Sequence, residues 1–339
     1  MTHQRIVSPK FYTDIINSMI ARGYASSNFT VQATNTGNNF VGIKSGGGVV
    51  QELFDMNPQK RVTFDTSANA TAKADHVLIN LDFGTAIPLS YVAILNHNMK
   101  TADSQFFVCS NTSAIVLDNT GAKISSSEVI NADESSDVFT PDNDGDSIIT
   151  FDANQNFQHF GIQIEGTSSE FSSTDLKIGQ IMIGMAFEIG VSPDLQVTRS
   201  ISYGNDVMET PAGKRFSSAK FLEGFTSTDT TSGQPFRSKG TNTALRFGGR
   251  TRYELSFSFV NDTALTSSDI STNNHSSFDF YNAVWNKTNG SHLPFIFTPD
   301  SASSTVGDYL YARFAQNELQ YNQVASNVFS TSLSIEEEF

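Results

Sequence analysis

Three aspartates alternate in Pro141-Asp142-Asn143-Asp144-Gly145-Asp146, the spacing at which carboxylate oxygens open a calcium-binding loop. A helical calcium loop also needs glycine at its sixth position and a bidentate glutamate at its twelfth. This chain has Ser147 and Ala153 there, so that reading fails. Two readings of Asp142, Asp144 and Asp146 stay open: a looser calcium site on a β-sandwich loop, or a solvated acidic turn. His97 and His159 each stand beside strand residues, but no His-x-His or His-Glu-x-x-His spacing puts two ligands on one face as zinc requires. His97, followed by Asn98, fits a loop hydrogen bond better than a metal. The single cysteine, Cys109, follows Phe106-Phe107-Val108 and reads as a buried strand residue with no base to activate it. Gly46-Gly47-Gly48 and Gly248-Gly249 lack the lysine and the strand-to-helix setting of a phosphate loop. There is no Gly-x-Ser-x-Gly elbow and no carboxylate pair marked as acid and base. No catalysis and no cofactor is expected.

Charge narrows the partners. The formal net charge is −14, which argues against a generic nucleic-acid binder, whose phosphate affinity is built from clustered Lys and Arg. Residues 1–190 carry 10 Lys+Arg against 20 Asp+Glu, a balance of −10, and residues 191–339 carry 11 against 15, a balance of −4. Nine of those 11 bases fall between Arg199 and Arg252, among only four acids. A basic segment in an acidic protein fits a partner-facing or self-complementary surface, with Lys214, Arg215, Arg237, Lys239, Arg250 and Arg252 as its candidate contacts.

The elements that must position these residues are strands. At 339 residues, 38% of them hydrophobic, the chain has the length of about two domains. Its 28 Phe and 17% charged residues are what many short aromatic strands between polar turns produce. The best strand signals in the first half are Val77 to Gly84 and Tyr91 to Met99, followed by Gln105 to Cys109, Phe160 to Ile164 and Lys177 to Glu188. Ser8-Pro9 is expected to start a helix with Phe11, Ile15, Ile16, Met19 and Ile20 on its apolar face. Gly190-Val191-Ser192-Pro193 reads as a linker, so the halves are expected to be 1–190 and 191–339, with the second able to fold alone. No apolar run approaches the roughly 20 residues that cross a bilayer, and Met1-Thr2-His3-Gln4-Arg5 lacks the apolar core of a signal peptide. Synthesis in the cytoplasm is expected.

In the second half, Phe278, Tyr281, Val284 and Trp285 recur at helical spacing, with Ser276 or Ser277 to cap the start and Asn289-Gly290 to stop it. Strands follow at Leu293 to Thr298, Tyr309 to Phe314 and Phe329 to Ile335. The spacing predicts one helix against a sheet holding Phe257, Phe295 and Phe297, with Trp285, the only tryptophan, as the core anchor.

This order resembles the domain shared by distal tail and minor tail proteins of long-tailed bacteriophages. It runs from the Tyr203-Gly204-Asn205-Asp206 turn to the Arg252 to Phe259 strand, then the helix ending in Asn289-Gly290. Pro294-Phe295-Ile296-Phe297 with Pro299-Asp300 comes next, and last the strand entering Glu336-Glu337. The likeness covers about residues 195 to 339. It departs at the turn, where Tyr-Gly-Asp-Gly is more usual, and in the length of Pro211 to Gly249. The resemblance implies a tail-tube-like fold that assembles into rings, commonly hexamers, beside tube, hub and fibre proteins of a virion tail. In such rings, strands of adjacent copies would continue one sheet, removing exposed edges.

The first half, over about residues 40 to 190, resembles the galactose-binding-like jelly rolls that tail proteins append, on the Asp82-Phe83-Gly84 phrase and Tyr91-Val92-Ala93-Ile94-Leu95-Asn96-His97-Asn98. In such jelly rolls sugar sits in loops at one end, though the loop residues themselves do not carry over. The expected fold is therefore mainly β, with a jelly-roll-like half and a tail-tube-like half containing one helix. The expected function is a ring-building tail protein, with a host-glycan-binding module as the alternative.

Overall fold

A computed structural model describes residues 7–32, 40–67, 76–115, 122–167, 171–195, 197–219, 249–266, 279–304 and 306–338. The chain is mainly β and antiparallel. In the first half the strands are β1 (Lys10–Asp14), β2 (Phe29–Val31), β3 (Val62–Thr63), β4 (Val77–His97), β5 (Ser104–Asn111) and β6 (Ala122–Lys123). They continue with β7 (Ser126–Ile130), β8 (Ala132–Ser135), β9 (Val138–Pro141), β10 (Gly145–Gly166), β11 (Lys177–Ile178) and β12 (Gln180–Glu188). The second half contributes β13 (Thr198–Ser202), β14 (Asn205–Glu209), β15 (Arg215–Ala219), β16 (Arg250–Asn261), β17 (Phe295–Thr298), β18 (Leu310–Phe314), β19 (Asn322–Ala325) and β20 (Val328–Glu337).

One hydrogen-bonded path runs β13-β16-β20-β18-β17-β1-β12-β4-β10-β5-β9-β8. The halves expected to divide at residue 190 thus share a sheet, and β1 is the seam. It pairs with β12 from Lys10↔Glu188 to Asp14↔Gly184 and, on its other edge, with β17 from Lys10↔Thr298 to Thr13↔Phe295. The expected linker is tied to the same seam: Gly190 N donates to Ser8 Oγ (3.2 Å), and Ile189 N donates to Pro9 O (3.4 Å).

Sheet alternation sorts the seam's side chains into different cores. Phe11 enters the cluster of Tyr253, Leu255, Phe257, Phe295, Phe297 and Phe314 in the second half. Tyr12, on the opposite face, joins Tyr91, Met182, Ile296, Tyr309 and Tyr311, a cluster drawn from both halves. Glu128 of β7 closes that cluster's edge, accepting from Lys10 Nζ (2.5 Å), Tyr12 Oη (3.3 Å) and Tyr309 Oη (3.2 Å). The third and largest core, around Phe29, Ile79, Leu81, Phe106, Ile162 and Ile183, belongs to the first half.

Several expectations are corrected. The helix placed from Ser8-Pro9 begins only at Ile15 and runs to Ala21 (α1), because Phe11 and its neighbours hydrogen-bond to strands on both edges, which outweighs helical spacing. Asp14 caps α1, its Oδ1 accepting from Ile16 N at 2.9 Å. Val77 to Gly84 and Tyr91 to Met99 are one strand, β4, whose register against β10 slips between Thr150 and Gln155 and again between Phe157 and His159. Lys177 to Glu188 splits at Gly179, where a Cβ would lie 2.0 Å from Pro58 O.

The second-half helix is a single π turn, Tyr281–Trp285, capped by Asp279 through Asn282 N (2.9 Å). A four-residue helix, α2 (Asp262–Leu265), also stands in this half. Phe278 and the serines expected to cap the turn lie outside the described residues. Asn289 and Gly290 do stop it, both at positive φ. The wider π turn carries Phe280, Ala283 and Val284 into the core and leaves Trp285 half-buried at its rim, 5.1 Å from Phe314 and over Gly290. Phe11 and Phe314, stacked 6.2 Å apart and each within 6.2 Å of Phe280 and Phe295, form the centre of this core, against which Trp285 packs from the rim.

Candidate functional site

β2 lies beside β4 with Thr30 opposite Asn80, and β10 lies beside β4 with His159 opposite Asp82. Ile79, Leu81 and Phe83 point into the first-half core. The alternate residues Asn80 and Asp82 therefore share the other face. On that face a cleft of about 320 Å³ is lined by Ser27, Asn28, Thr30, Gln32, Asn80, Asp82 and His159, with the buried Ile115 beside it; Phe160, opposite Leu81, turns its ring to the core. Gly161 makes room for Ile115, since a Cβ there would meet Cys109 Sγ at 3.0 Å and Ile115 at 3.2 Å.

The polar groups are held in place. Asp82 Oδ1 accepts from Gly84 N (2.8 Å) and Gln158 Nε2 (3.1 Å), and His159 Nδ1 stands 3.6 Å away, within ion-pair reach when the ring is protonated. Tyr24 Oη donates to the Asp82 carbonyl at 2.9 Å, fixing the backbone where Gly84 turns at φ +70°. Asn80 Nδ2 donates to Gln32 Oε1 at 3.4 Å, while Asn80 Oδ1 is buried without a partner among the described residues.

The three aspartates do not converge. Asp142 is exposed, and Asp144 accepts from Thr101 N (2.9 Å) and Thr101 Oγ1. Asp146 turns inward, its Oδ1 accepting from Asn96 N at 2.5 Å and its Oδ2 without a partner among the described residues. Among the described residues, no three His, Cys, Asp or Glu side chains are grouped to hold a metal ion. Instead this end of the sandwich is a buried polar network. Arg61 Nε donates to Asn96 Oδ1 (2.9 Å), and Asn96 Nδ2 to Pro58 O (2.6 Å). His97 Nε2 meets Ser147 Oγ at 2.9 Å, while its Nδ1 accepts from Met99 N at 3.2 Å, the loop contact its sequence position suggested. Cys109 is buried on β5.

Burial pushes the Asp146 carboxyl up to about 8, against the pull of Asn96 N–H and the Arg61 charge, and pushes the His97 imidazole down to about 3, with Arg61 adding to the shift. A carboxyl held neutral in the fold must give up stability as pH rises from its unfolded value near 4 to about 8. Asp14, raised to about 7 by burial, acts in the same sense, whereas His97 costs stability as pH falls below about 6.5. Asp146→Asn is therefore expected to gain stability relative to the natural chain progressively from pH 5 to pH 8. Urea midpoints at the two pH values check this, and an equal difference at both would contradict it.

Of the basic span, the described residues fall in two places. Arg250 pairs with Glu336 (2.9 Å), and Arg252 with Glu254 (3.2 Å) and Ser334 (3.1 Å), within the β16–β20 ladder. Arg237 and Lys239 lie outside the described residues. Lys214 and Arg215 stand exposed on the β14–β15 hairpin, with Lys214 Nζ 5.0 Å over the Phe216 ring. That hairpin is a separate two-stranded sheet, turned at Thr210 to Gly213, with Gly213 at φ +79°. Every residue of β13 and β14 is exposed, and β13 is the terminal strand of the long sheet. Met208 faces Phe216 across the hairpin, 68% and 47% exposed, and Val207 is 49% exposed on the opposite face.

The sequence marks the hairpin only through Lys214 and Arg215 and does not mark the cleft. Asn80 and Asp82 were absorbed into a strand reading, although their place two apart among Ile79, Leu81 and Phe83 already set them on the outer face. Met208 and Phe216 left no such mark.

No protein-family model matches the chain, and no curated protein matches it. Among solved structures it is similar to a chitosan-binding module of a chitosanase/glucanase from Paenibacillus sp. IK-5, at 15% identity and TM-score 0.32, over 47% of this chain and 96% of that one. It is also similar to the family 32 carbohydrate-binding module of C. perfringens NanJ, solved with galactose, at 14% identity and TM-score 0.30, over 50% and 97%. A third similarity is to reduced XRCC1 bound to the DNA polymerase β catalytic domain, at 7% identity and TM-score 0.29, over 42% and 89%. No helix among the described residues is long and apolar enough to cross a membrane.

Proposed function

We propose that this chain is a non-enzymatic structural protein that associates with copies of itself through the arm formed by β13, β14 and β15, as a ring-building component of a bacteriophage tail would. The observation carrying this reading is the arm itself. A two-stranded hairpin with both faces in water is marginally stable alone, and an unpaired terminal strand is a template for another chain. Met208, Phe216 and Val207 give the arm apolar surface to bury. With Arg199 of β13, Lys214 and Arg215 outnumber Asp206 and Glu209 on the arm, a formal +1 against the −10 of the first half of a neighbouring copy. Lys214→Glu with Arg215→Glu is expected to weaken association about tenfold at low salt, and much less at ~0.5 M salt, where surface charges are screened. Sedimentation equilibrium at both salts reads this out, and an unchanged constant at low salt would remove the electrostatic part of the reading.

A second reading, carbohydrate recognition by the first half, is favoured by the polar cleft over β2, β4 and β10. The two are compatible, since arm and cleft lie on different strands.

A further inference from the structure

We propose that the cleft lined by Asn28, Thr30, Gln32, Asn80, Asp82 and His159 is a binding site for a neutral hexopyranose unit of a glycan, on the face of the sheet rather than in the loops at its end. The inference rests on the carbohydrate reading and gives it a place and a ligand class.

The lining selects the ligand. Its volume of about 320 Å³ is at the lower end of small-molecule sites and suits one or two sugar rings. Five of the seven polar lining residues, Ser27, Asn28, Thr30, Gln32 and Asn80, carry amide or hydroxyl groups that both donate and accept, as ring hydroxyls do. Asp82 is preset: Oδ1 is saturated by Gly84 N and Gln158 Nε2, while Oδ2 takes no partner among the described residues, and the side chain is 43% exposed. An ionised carboxylate oxygen so placed accepts from a hydroxyl in a strong, charge-assisted bond.

The same lining rejects other classes. With Asp82 inside and neither Lys nor Arg on the wall among the described residues, uronates, sialic acids and phosphates meet like charge without a counter-charge beyond His159. A metal ion would find one carboxylate among the described lining residues where several oxygen ligands are needed. An apolar ligand would strand the amides without partners.

Saturation-transfer NMR on the full chain with methyl α-glucoside, methyl β-galactoside, methyl α-mannoside and methyl glucuronoside tests this. At least one neutral glycoside is expected to bind, and the glucuronoside is not. Asp82→Asn, which keeps an acceptor for Gly84 N, should weaken binding about tenfold, as loss of a charge-assisted bond implies. Thr30→Arg, at an exposed position, should block the cleft outright. Both variants should melt as the natural chain does. Asp144→Ala, in the end loops, should bind normally. Binding lost in Asp144→Ala but intact in Asp82→Asn and Thr30→Arg would overturn the cleft while sparing the carbohydrate reading. Silence from every glycoside would overturn both, and glucuronoside binding as strong as the neutral sugars would overturn the ligand class.

Discussion

Phe11→Ala is expected to lower the stability of the entire chain by about 3–5 kcal/mol, the usual cost of emptying a buried phenylalanine site, and to lower the melting of both halves together. Phe11 is fully buried, with its ring 5.5 Å from Phe280, 5.7 Å from Phe295 and 5.3 Å from Phe297. Its strand is hydrogen-bonded to β12 on one edge and β17 on the other. Emptying the site therefore loosens the second-half core and the seam at once. Against total stabilities of about 5–15 kcal/mol, the loss is a large share. Calorimetry and Trp285 fluorescence in urea should report one coincident transition in the natural chain and a single, lower one in the variant. Two separate transitions, with Phe11→Ala moving only one, would show that the halves are independent despite the shared sheet. A fragment starting at Val191 would lack Phe11 and leave β17 with a bare edge, so it is a poor substitute for the whole chain in assembly experiments.

The sequence disclosed the fold better than the surfaces. The period-two run Tyr253, Leu255, Phe257 carried its own evidence, because alternation is local to the strand, and it fails only at Phe259, which a register shift after Phe257 leaves 75% exposed. The N-terminal segment did not: Phe11, Ile15 and Ile16 satisfy helical spacing, and only the presence of β12 and β17, some 170 and 280 residues away, makes Lys10 to Asp14 a strand. Trp285 was misplaced for a local reason. An extra residue in the π turn rotates the face that a regular helix would bury, and brings in Phe280. Asp142, Asp144 and Asp146 alternate in sequence, but the strand start at Gly145 sends Asp146 into the interior and leaves Asp142 outside. The cleft required three strands and a glycine from distant parts of the chain, so its residues were visible as strand residues and invisible as a site.

Replacing the apolar pair of the arm is expected to have the largest effect on assembly. Met208 and Phe216 form one cross-strand pair on one face of a hairpin that contributes nothing to the three cores. Met208→Asp with Phe216→Asp should weaken self-association at least a hundredfold, the scale of losing two buried hot-spot side chains and placing charge where they pack. Thermal melting of the dissociated chain should stay where it was, because exposed positions away from the cores change stability little. A variant that associates normally would mean that the arm packs elsewhere, and one that melts early would mean that the hairpin supports its own chain.

The most direct test is the mass of the natural, full-length chain across a concentration series, by sedimentation velocity with negative-stain electron microscopy of the same samples. The account predicts a discrete multiple of the 37.0 kDa protomer, closed into rings of one symmetry, that collapses to protomer in the Met208→Asp, Phe216→Asp variant. A chain that remains a 37.0 kDa monomer at the highest concentrations, with no ring in any field, would contradict it.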